Sequence, residues 1–338
     1  MIGDAIRRVV DGGDLAEGQM ASAMRAILGG EASDAQIAAL AVGLRMKGET
    51  IDEIAAAARV MRERCAQVDL GFDGVVLDTC GTGGDGAGTF NISTVSAIVV
   101  AGCGVSVAKH GNRAVSSKAG SADLLEALGV SLEASPEAVA RSVREVHIGF
   151  LFAPAHHAAL KHAAPVRRQL GLRTFFNLLG PLANPAGATH QIVGVYDPAR
   201  VRQVAEVLGR LGTRGAWVVH GHGGLDEVSP CGPTRVAVLS EGEVVERTVE
   251  PADFGLDPVT PEQIGGGDAA RNAAIARAVL EGERGGPRTA VVMNAAAALV
   301  VAGEAHDLRE AAARAASAID SGAARETLAK WVASSGGP

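Results

Sequence analysis

The sequence predicts an α/β protein in two parts, a small all-helical N-terminal domain packed on a larger α/β domain with a mainly parallel central sheet. Three observations carry this. Residues 1–65 hold apolar positions at helical spacing; from Val75 onward short apolar runs alternate with helical segments; and glycine-rich loops stand where several of those runs end. Strands alternating with helices require crossover connections, and those favour parallel pairing. The 338 residues, 47% of them apolar, suffice for one large domain with a small one. Aromatic residues are only 3%, so packing must rest on small side chains and close backbone approach.

In the first part, Asp14 with Glu17, Ser33 with Gln36 and Thr50 with Glu53 are each spaced like a capping box. Ile37, Leu40, Ala41 and Leu44 share one helix face, as do Ile51, Ile54, Ala58 and Met61, and Lys47-Gly48 reads as a basic last turn with a C-cap glycine. Four short helices are predicted. In the second part, Val75–Leu77, Val105–Ala108, Val130–Leu132, Ile148–Phe152, Ile192–Tyr196 and Ala216–Val219 are strand candidates. Helices are predicted from about Ile92 to Gly102 and from Ser121 to Leu128. Arg235–Val238 and Val244–Arg247 suggest a hairpin around Glu241-Gly242-Glu243, and after Gly267 the chain reads as helical to its end.

A formal charge of -7 argues against general nucleic-acid binding, although local charge alone governs a small-molecule site. Cys65, Cys80, Cys103 and Cys231 lie scattered without CxxC spacing and read as reduced thiols of a cytoplasmic protein. The start of the chain has neither signal-peptide nor transit-peptide character, and the apolar run Ala290–Ala302 is too short and Ala-rich to span a bilayer.

Three loops carry the chemistry, because ligands in such folds bind at the carboxyl ends of strands. Gly81 to Gly88 holds five glycines in eight positions and runs into Thr89, Asn91, Ser93 and Thr94. It satisfies GxGxxG, but no acidic residue closes the next strand; Lys109 stands there, which disfavours a nicotinamide dinucleotide. A pyrophosphate cradle fits better, with glycine N–H groups and a helix N-terminus facing the anion, and Ser93 or Thr94 adding a hydroxyl. A tight turn with Asn91 as helix N-cap is the plainer alternative. The second loop, Lys109 to Lys118, sets three formal cations, an amide and two serines around Gly111, as a phosphorylated ligand requires; Ser121 after it could simply cap its helix. The third, Gly223-Gly224-Leu225-Asp226-Glu227, places adjacent carboxylates where Mg²⁺ could use them, or forms a solvated turn. His220 and His222 lack a third ligand at zinc spacing.

Together these segments resemble the anthranilate phosphoribosyltransferases. The likeness rests on CGTGGD (Cys80–Asp85), NIST (Asn91–Thr94), KHGNRAVSSKAGSAD (Lys109–Asp123), PVRRQLGLRTFFNLLGPLANP (Pro165–Pro185) and GLDE (Gly224–Glu227), and extends to GGGDAARNAA near Gly265 and VVMNAAAALVVAG near Val291. It spans essentially the whole chain. Ala158 departs from an expected proline and Ala114 from a common serine.

The resemblance implies a nucleoside phosphorylase / phosphoribosyltransferase-like fold. It implies a helical domain over 1–70 with a return segment near 165–185, an α/β domain over 71–338, a cleft site and a homodimer. It implies transfer of the 5-phosphoribosyl group of phosphoribosyl pyrophosphate to the amine of anthranilate, a step of tryptophan biosynthesis, with Mg²⁺ as cofactor. Carried over by position, phosphoribosyl pyrophosphate would meet Gly81, Gly84, Asp85, Thr89, Asn91, Ile92, Ser93, Thr94, Lys109, His110, Gly111, Asn112, Arg113, Ala114, Val115, Ser116, Ser117 and Ser121. Anthranilate would meet Gly81, Asn112 and Arg167, with Arg167 reading its carboxylate and His110 and His157 lining the aromatic pocket. Ser93, Asp226 and Glu227 would hold Mg²⁺. No dedicated catalytic base is implied. A pyrimidine nucleoside phosphorylase shares the architecture, but its loop signatures differ from KHGNR; a nucleic-acid-binding relative would need an extended basic face that the charge balance opposes.

Overall fold

The computed structural model describes residues 1–114 and 118–336. Its N-terminal helices are α1 (Ile2–Val10), α2 (Glu17–Leu28), α3 (Asp34–Lys47) and α4 (Ile51–Glu63). Ser33 caps α3 by accepting from Gln36 N, and Thr50 caps α4 by accepting from Glu53 N, each with the reciprocal glutamine or glutamate bond. The expected Asp14 cap is not formed. Ala16 occupies the N-cap of α2, and Asp14 instead accepts from Lys47 Nζ at 2.7 Å. The reason lies in Leu15, whose side chain is buried and whose N–H donates to the buried Glu53 at 2.8 Å; this draws the turn inward and delays the helix. Glu53 thus joins Leu15, Thr50 and Lys47 at one hub.

The remaining elements are β1 (Leu77–Gly81), α5 (Ile92–Gly102), β2 (Val107–Gly111), α6 (Ser121–Leu128), α7 (Pro136–Val146), β3 (Ile148–Phe152), α8 (Ala153–His156), α9 (Ala164–Leu170), α10 (Phe176–Leu182), β4 (His190–Gly194), α11 (Arg200–Arg210), β5 (Gly215–Gly221), β6 (Thr234–Ser240), β7 (Glu243–Val249), α12 (Ala269–Leu280), α13 (Gly286–Val301), α14 (Leu308–Asp320) and α15 (Ala323–Ser334). The sheet order is β3-β2-β1-β4-β5-β6-β7, parallel from β3 to β5 and antiparallel over the last two pairs. The β6–β7 turn is shorter than the sequence suggested. Ser240 pairs with Glu243, leaving Glu241-Gly242, both at positive φ, as a two-residue hairpin turn of the kind that matches strand twist.

Val130–Leu132, expected as a strand, is not one. Val130 N closes the end of α6 on Leu125 O, and Ser131 N donates to Ser335 Oγ, so these residues plug the α6–α7 connection against α15 instead of joining the sheet.

Side chains alternate across the sheet into two large cores, with a smaller cluster of Ala108 and Leu151 against Val139, Ala140 and Val143 of α7. Trp217, Val219 and Val236 face a core with α5 and α12–α15; Val193, Val218 and Ala237 face another shared with α1–α4, α10 and α11. Ala163, Val166, Phe175, Phe176, Leu178 and Leu179 join this second core, so the 163–182 stretch packs with the N-terminal helices. Polar ties cross the same junction: Arg200 meets the buried Glu49 at 2.6 Å, and Arg62 donates to Leu182 O and Leu211 O. The run Ala290–Ala302 lies almost entirely within α13, a helix buried nearly all round, as an apolar helix must be. Among the described residues no helix is long and apolar enough to cross a membrane.

Candidate functional site

The C-terminal edge of the sheet is built from strands that end in glycine. β1 ends at Gly81, β4 at Gly194 and β5 at Gly221, and the segment Asp226-Glu227 lies directly over them. A Cβ at Gly194 would stand 1.6 Å from Asp226 O, one at Gly81 2.4 Å from Asp226 Oδ2, and one at Gly221 2.6 Å from Glu227 O. Only a backbone without side chains lets this segment settle there.

Both carboxylates are held from the first loop. Gly83 N donates to Asp226 Oδ2 at 2.8 Å, and Ser93 N, in the first turn of α5, donates to Glu227 Oε1 at 3.2 Å. Burial pushes Asp226 up to about 7, and the nearby Asp85 charge adds to the shift. Burial and then the Asp226 charge push Glu227 up to about 8, with Lys109 opposing. Desolvated, mutually repelling carboxylates of this kind mark functional sites. Among the described residues no three His, Cys, Asp or Glu side chains converge on a metal position. Two carboxylates without a closed cage suit Mg²⁺, which keeps waters and takes substrate oxygens.

Lys109 lies beneath the cradle, buried within β2, with Nζ donating to Thr79 O; burial lowers its pKa while Asp78 raises it. Asp78, itself buried, accepts from His110 N and Asn184 Nδ2. Thr94 is buried with an unpartnered Oγ1. Ile92 is wholly in the core and gives its N–H to Phe90 O, so neither its side chain nor its amide faces the loops.

Asn91 sits at the N-cap position of α5 without capping by its side chain; Nδ2 donates to Ala119 O at 3.0 Å and Oδ1 accepts from Asn272 Nδ2 at 2.9 Å. It therefore links the first loop to the second and to α12. Gly84 and Asp85 lie in the first loop, and Thr89 bridges to Gly265 at its far end.

In the second loop, Asn112 O accepts from Ser121 Oγ, and Ser121 is the first residue of α6 and not its cap, a place taken by Gly120. Arg113 is turned away, paired with Asp123 and Glu126 of α6 at 3.0 and 2.9 Å. Ala114 N donates to Asp123 Oδ2, and Gly111 closes β2. Val115, Ser116 and Ser117 lie outside the described residues.

His110 and His157 are buried side by side, with ring centroids 5.0 Å apart. His110 Nδ1 contacts Gly180 O, while Nε2 of each ring is buried and unpartnered. Arg167 of α9 lies with Cζ 5.7 Å from the Phe176 ring, and burial lowers its pKa; among the described residues no carboxylate pairs with it. Arg173 donates to Gly84 O and stacks 3.9 Å from the Tyr196 ring. Two further residues were missed: Asn272, and Asn294 of α13, which binds the backbone of Val228. The available signal was a lone asparagine inside the apolar run after Ala290.

Residues 3–65 match the helical bundle domain of a glycosyl transferase family, and residues 73–325 match that family's a/b domain. The anthranilate phosphoribosyltransferase of Myxococcus xanthus (strain DK1622) is 60% identical over 97% of each chain. The chain belongs to the anthranilate phosphoribosyltransferase family. Another member, from Thermus thermophilus, has a solved structure that matches with a TM-score of 0.93 at 46% identity, covering 98% of this chain and 99% of that one. The Saccharomyces cerevisiae enzyme, solved in complex with PRPP and Mg, matches with a TM-score of 0.90 at 28% identity over 99% and 97% of the two chains.

The buried His110–His157 pair of this family member has a consequence for acid stability. Burial, and next the charge on the neighbouring imidazole, lower His110 to about 3; burial and then His156 lower His157 to about 4. Unfolded histidines take up protons near pH 6.5 and the folded ones do not, so this contribution is present above pH 6.5 and is lost as pH falls toward 4. Melting temperature should drop over that interval, and less steeply in His157→Gln. An equally steep drop in the variant would remove His157 as a cause.

Proposed function

We propose that this chain transfers the 5-phosphoribosyl group of phosphoribosyl pyrophosphate to the amine of anthranilate, releasing pyrophosphate, as a cytoplasmic step of tryptophan biosynthesis. The observation that carries the reading is the half-buried Asp226–Glu227 pair set across the strand ends and bonded to Gly83 N of the glycine-rich loop and Ser93 N of α5. Loop N–H groups and the α5 N-terminus face the phosphates of the substrate. When bound, Mg²⁺ supplies the positive charge that the pyrophosphate needs as it leaves. Asp226 and Glu227, with Ser93 beside them, would hold that ion, while the cradle of Gly81, Gly84, Asp85, Thr89 and Asn91 binds and orients the ribosyl donor. Lys109 contributes its charge from below.

The acceptor reading rests on His110, His157, Asn112 and Arg167. An arylamine is neutral at pH 7, so its lone pair is available without a strong base. The amine nitrogen forms a bond to the anomeric carbon as the C–O bond to pyrophosphate breaks, and the nitrogen then loses a proton. The chain's main contribution is positioning. Arg167, a half-buried guanidinium without a carboxylate partner among the described residues, reads the carboxylate of anthranilate. The 163–182 stretch belongs with residues 1–70 in a helical domain, the site lies between it and the sheet, and the chain forms a homodimer.

The first test follows anthranilate fluorescence with purified protein, phosphoribosyl pyrophosphate and Mg²⁺. Loss of signal should need all three components and stop with EDTA; no loss from folded protein that binds phosphoribosyl pyrophosphate would discard the acceptor. Arg167→Ala should raise the KM for anthranilate about tenfold or more, the worth of one charge-assisted contact. The KM for phosphoribosyl pyrophosphate should stay within about threefold. Equal losses on both substrates would sink the assignment.

A further inference from the structure

We infer that Asn294 is a positioning residue that fixes the Asp226–Glu227 carboxylates over the strand ends from the distant helix α13. The inference rests on the reading of those carboxylates as the Mg²⁺ and pyrophosphate side of the site. The loop that bears them has little to hold it locally. Gly223 and Gly224 precede the pair at positive φ, and upstream the turn is closed by Gly221 N to Leu225 O at 2.8 Å and by Ser229 Oγ to His222 O at 3.4 Å.

Downstream the support is different in kind. Val228 N donates to Asn294 Oδ1 at 2.9 Å, and Asn294 Nδ2 donates back to Val228 O at 2.9 Å and to Ala290 O at 2.9 Å. One side-chain amide therefore pairs with both polar groups of the residue next to Glu227, as a neighbouring strand would. Val228 is fully buried and Asn294 is 4% exposed, so water cannot replace these bonds. Aspartate would lack the donor, and serine or alanine would be too short.

The helix that carries Asn294 also fixes the other side of the cluster. Ser96 Oγ of α5 donates to Val291 O of α13 at 3.3 Å, and Ser93, one turn earlier on α5, gives its N–H to Glu227. α13 thus sets the carboxylate segment and the helix that meets it in one frame, though it contributes no side chain to the reacting groups. Outer supports of metal-binding carboxylates typically change metal affinity by about 10–100-fold when removed.

The test titrates phosphoribosyl pyrophosphate with Mg²⁺ into the full chain by calorimetry, comparing wild type with Asn294→Ser. The serine hydroxyl can still bond Ala290 O within the helix but cannot reach Val228. The Mg²⁺ concentration for half-maximal binding should rise about tenfold or more, while the KM for anthranilate stays within about threefold. Leu299→Ala, which opens a cavity in the same helix, controls for general loosening: it should lower the melting temperature and leave the Mg²⁺ midpoint unmoved. Equal shifts in both variants, or no shift in Asn294→Ser, would overturn the inference. Binding by wild type that ignores Mg²⁺ would instead remove the reading beneath it. Should Asn294→Ser not fold, amide exchange of the ligand-free wild type decides: Val228 should be as protected as the middle of α13, and fast exchange at Val228 would refute the tether.

Discussion

Alanine at position 194 is expected to cost about 100-fold or more in kcat/KM for phosphoribosyl transfer. The added methyl carbon would stand 1.6 Å from Asp226 O and 2.3 Å from Asp226 C, both backbone atoms of the segment that carries the acidic pair. No rotamer change relieves such a clash, so the segment must lift away from the end of β4, and displacements near 1 Å in a positioned site cost rate on this scale. The fold should survive, because overpacking of this kind costs about 1–3 kcal/mol. Gly18→Ala is the control, since a Cβ there meets nothing within 4 Å in α2. Kinetics alongside thermal melts separate the outcomes. Activity in Gly194→Ala within threefold of wild type would show that the acidic segment can move without consequence.

That dependence on glycine explains which parts of the molecule could be read from its sequence. The all-helical start, the alternation of strands and helices, and the three loops at strand ends were legible because apolar periodicity and glycine clusters are local signals. Strand limits were less so. The first two strands lie two residues further along the chain than their apolar runs, Leu77–Gly81 against Val75–Leu77 and Val107–Gly111 against Val105–Ala108. Their middle residues, Asp78-Thr79 and Lys109-His110, are polar and look like loop, yet they are buried in the sheet and paired by Asn184, Thr79 O and the His157 ring. The limits of β3 agree with its sequence pattern because Ile148–Phe152 is apolar throughout apart from Gly149. The supports of the site escaped sequence reading for a related reason. Asn272 and Asn294 are the one asparagine in each of two Ala-rich helices, and their partners, Asn91 and Val228, are 181 and 66 positions away. Arg113, a cation of the second loop, is paired with Asp123 and Glu126, acidic residues ten and thirteen positions further on.

Glu227→Gln should separate what this residue does for the reaction from what it costs the fold. The glutamine oxygen can still accept from Ser93 N, so the loop keeps its hydrogen bond while the charge is removed. Measured in EDTA at pH 8, the variant should melt higher than wild type, by about 2 °C or more, because a half-buried carboxylate beside Asp226 and Asp85 suffers desolvation and repulsion that a neutral amide does not. Lys109 offsets part of that repulsion, and its loss of a counter-charge limits the gain. With phosphoribosyl pyrophosphate and Mg²⁺ present the order should reverse. Wild type gains stability by binding, whereas the variant lacks one of the two anionic oxygens that would draw the cation, and kcat/KM should fall about 100-fold. A variant that is both less stable in EDTA and fully active would mean that Glu227 serves the packing of the loop alone. The opposite pairing, higher stability with lost activity, is what a site built at the expense of the fold produces. It would place the cost at the same oxygen that accepts from Ser93 N.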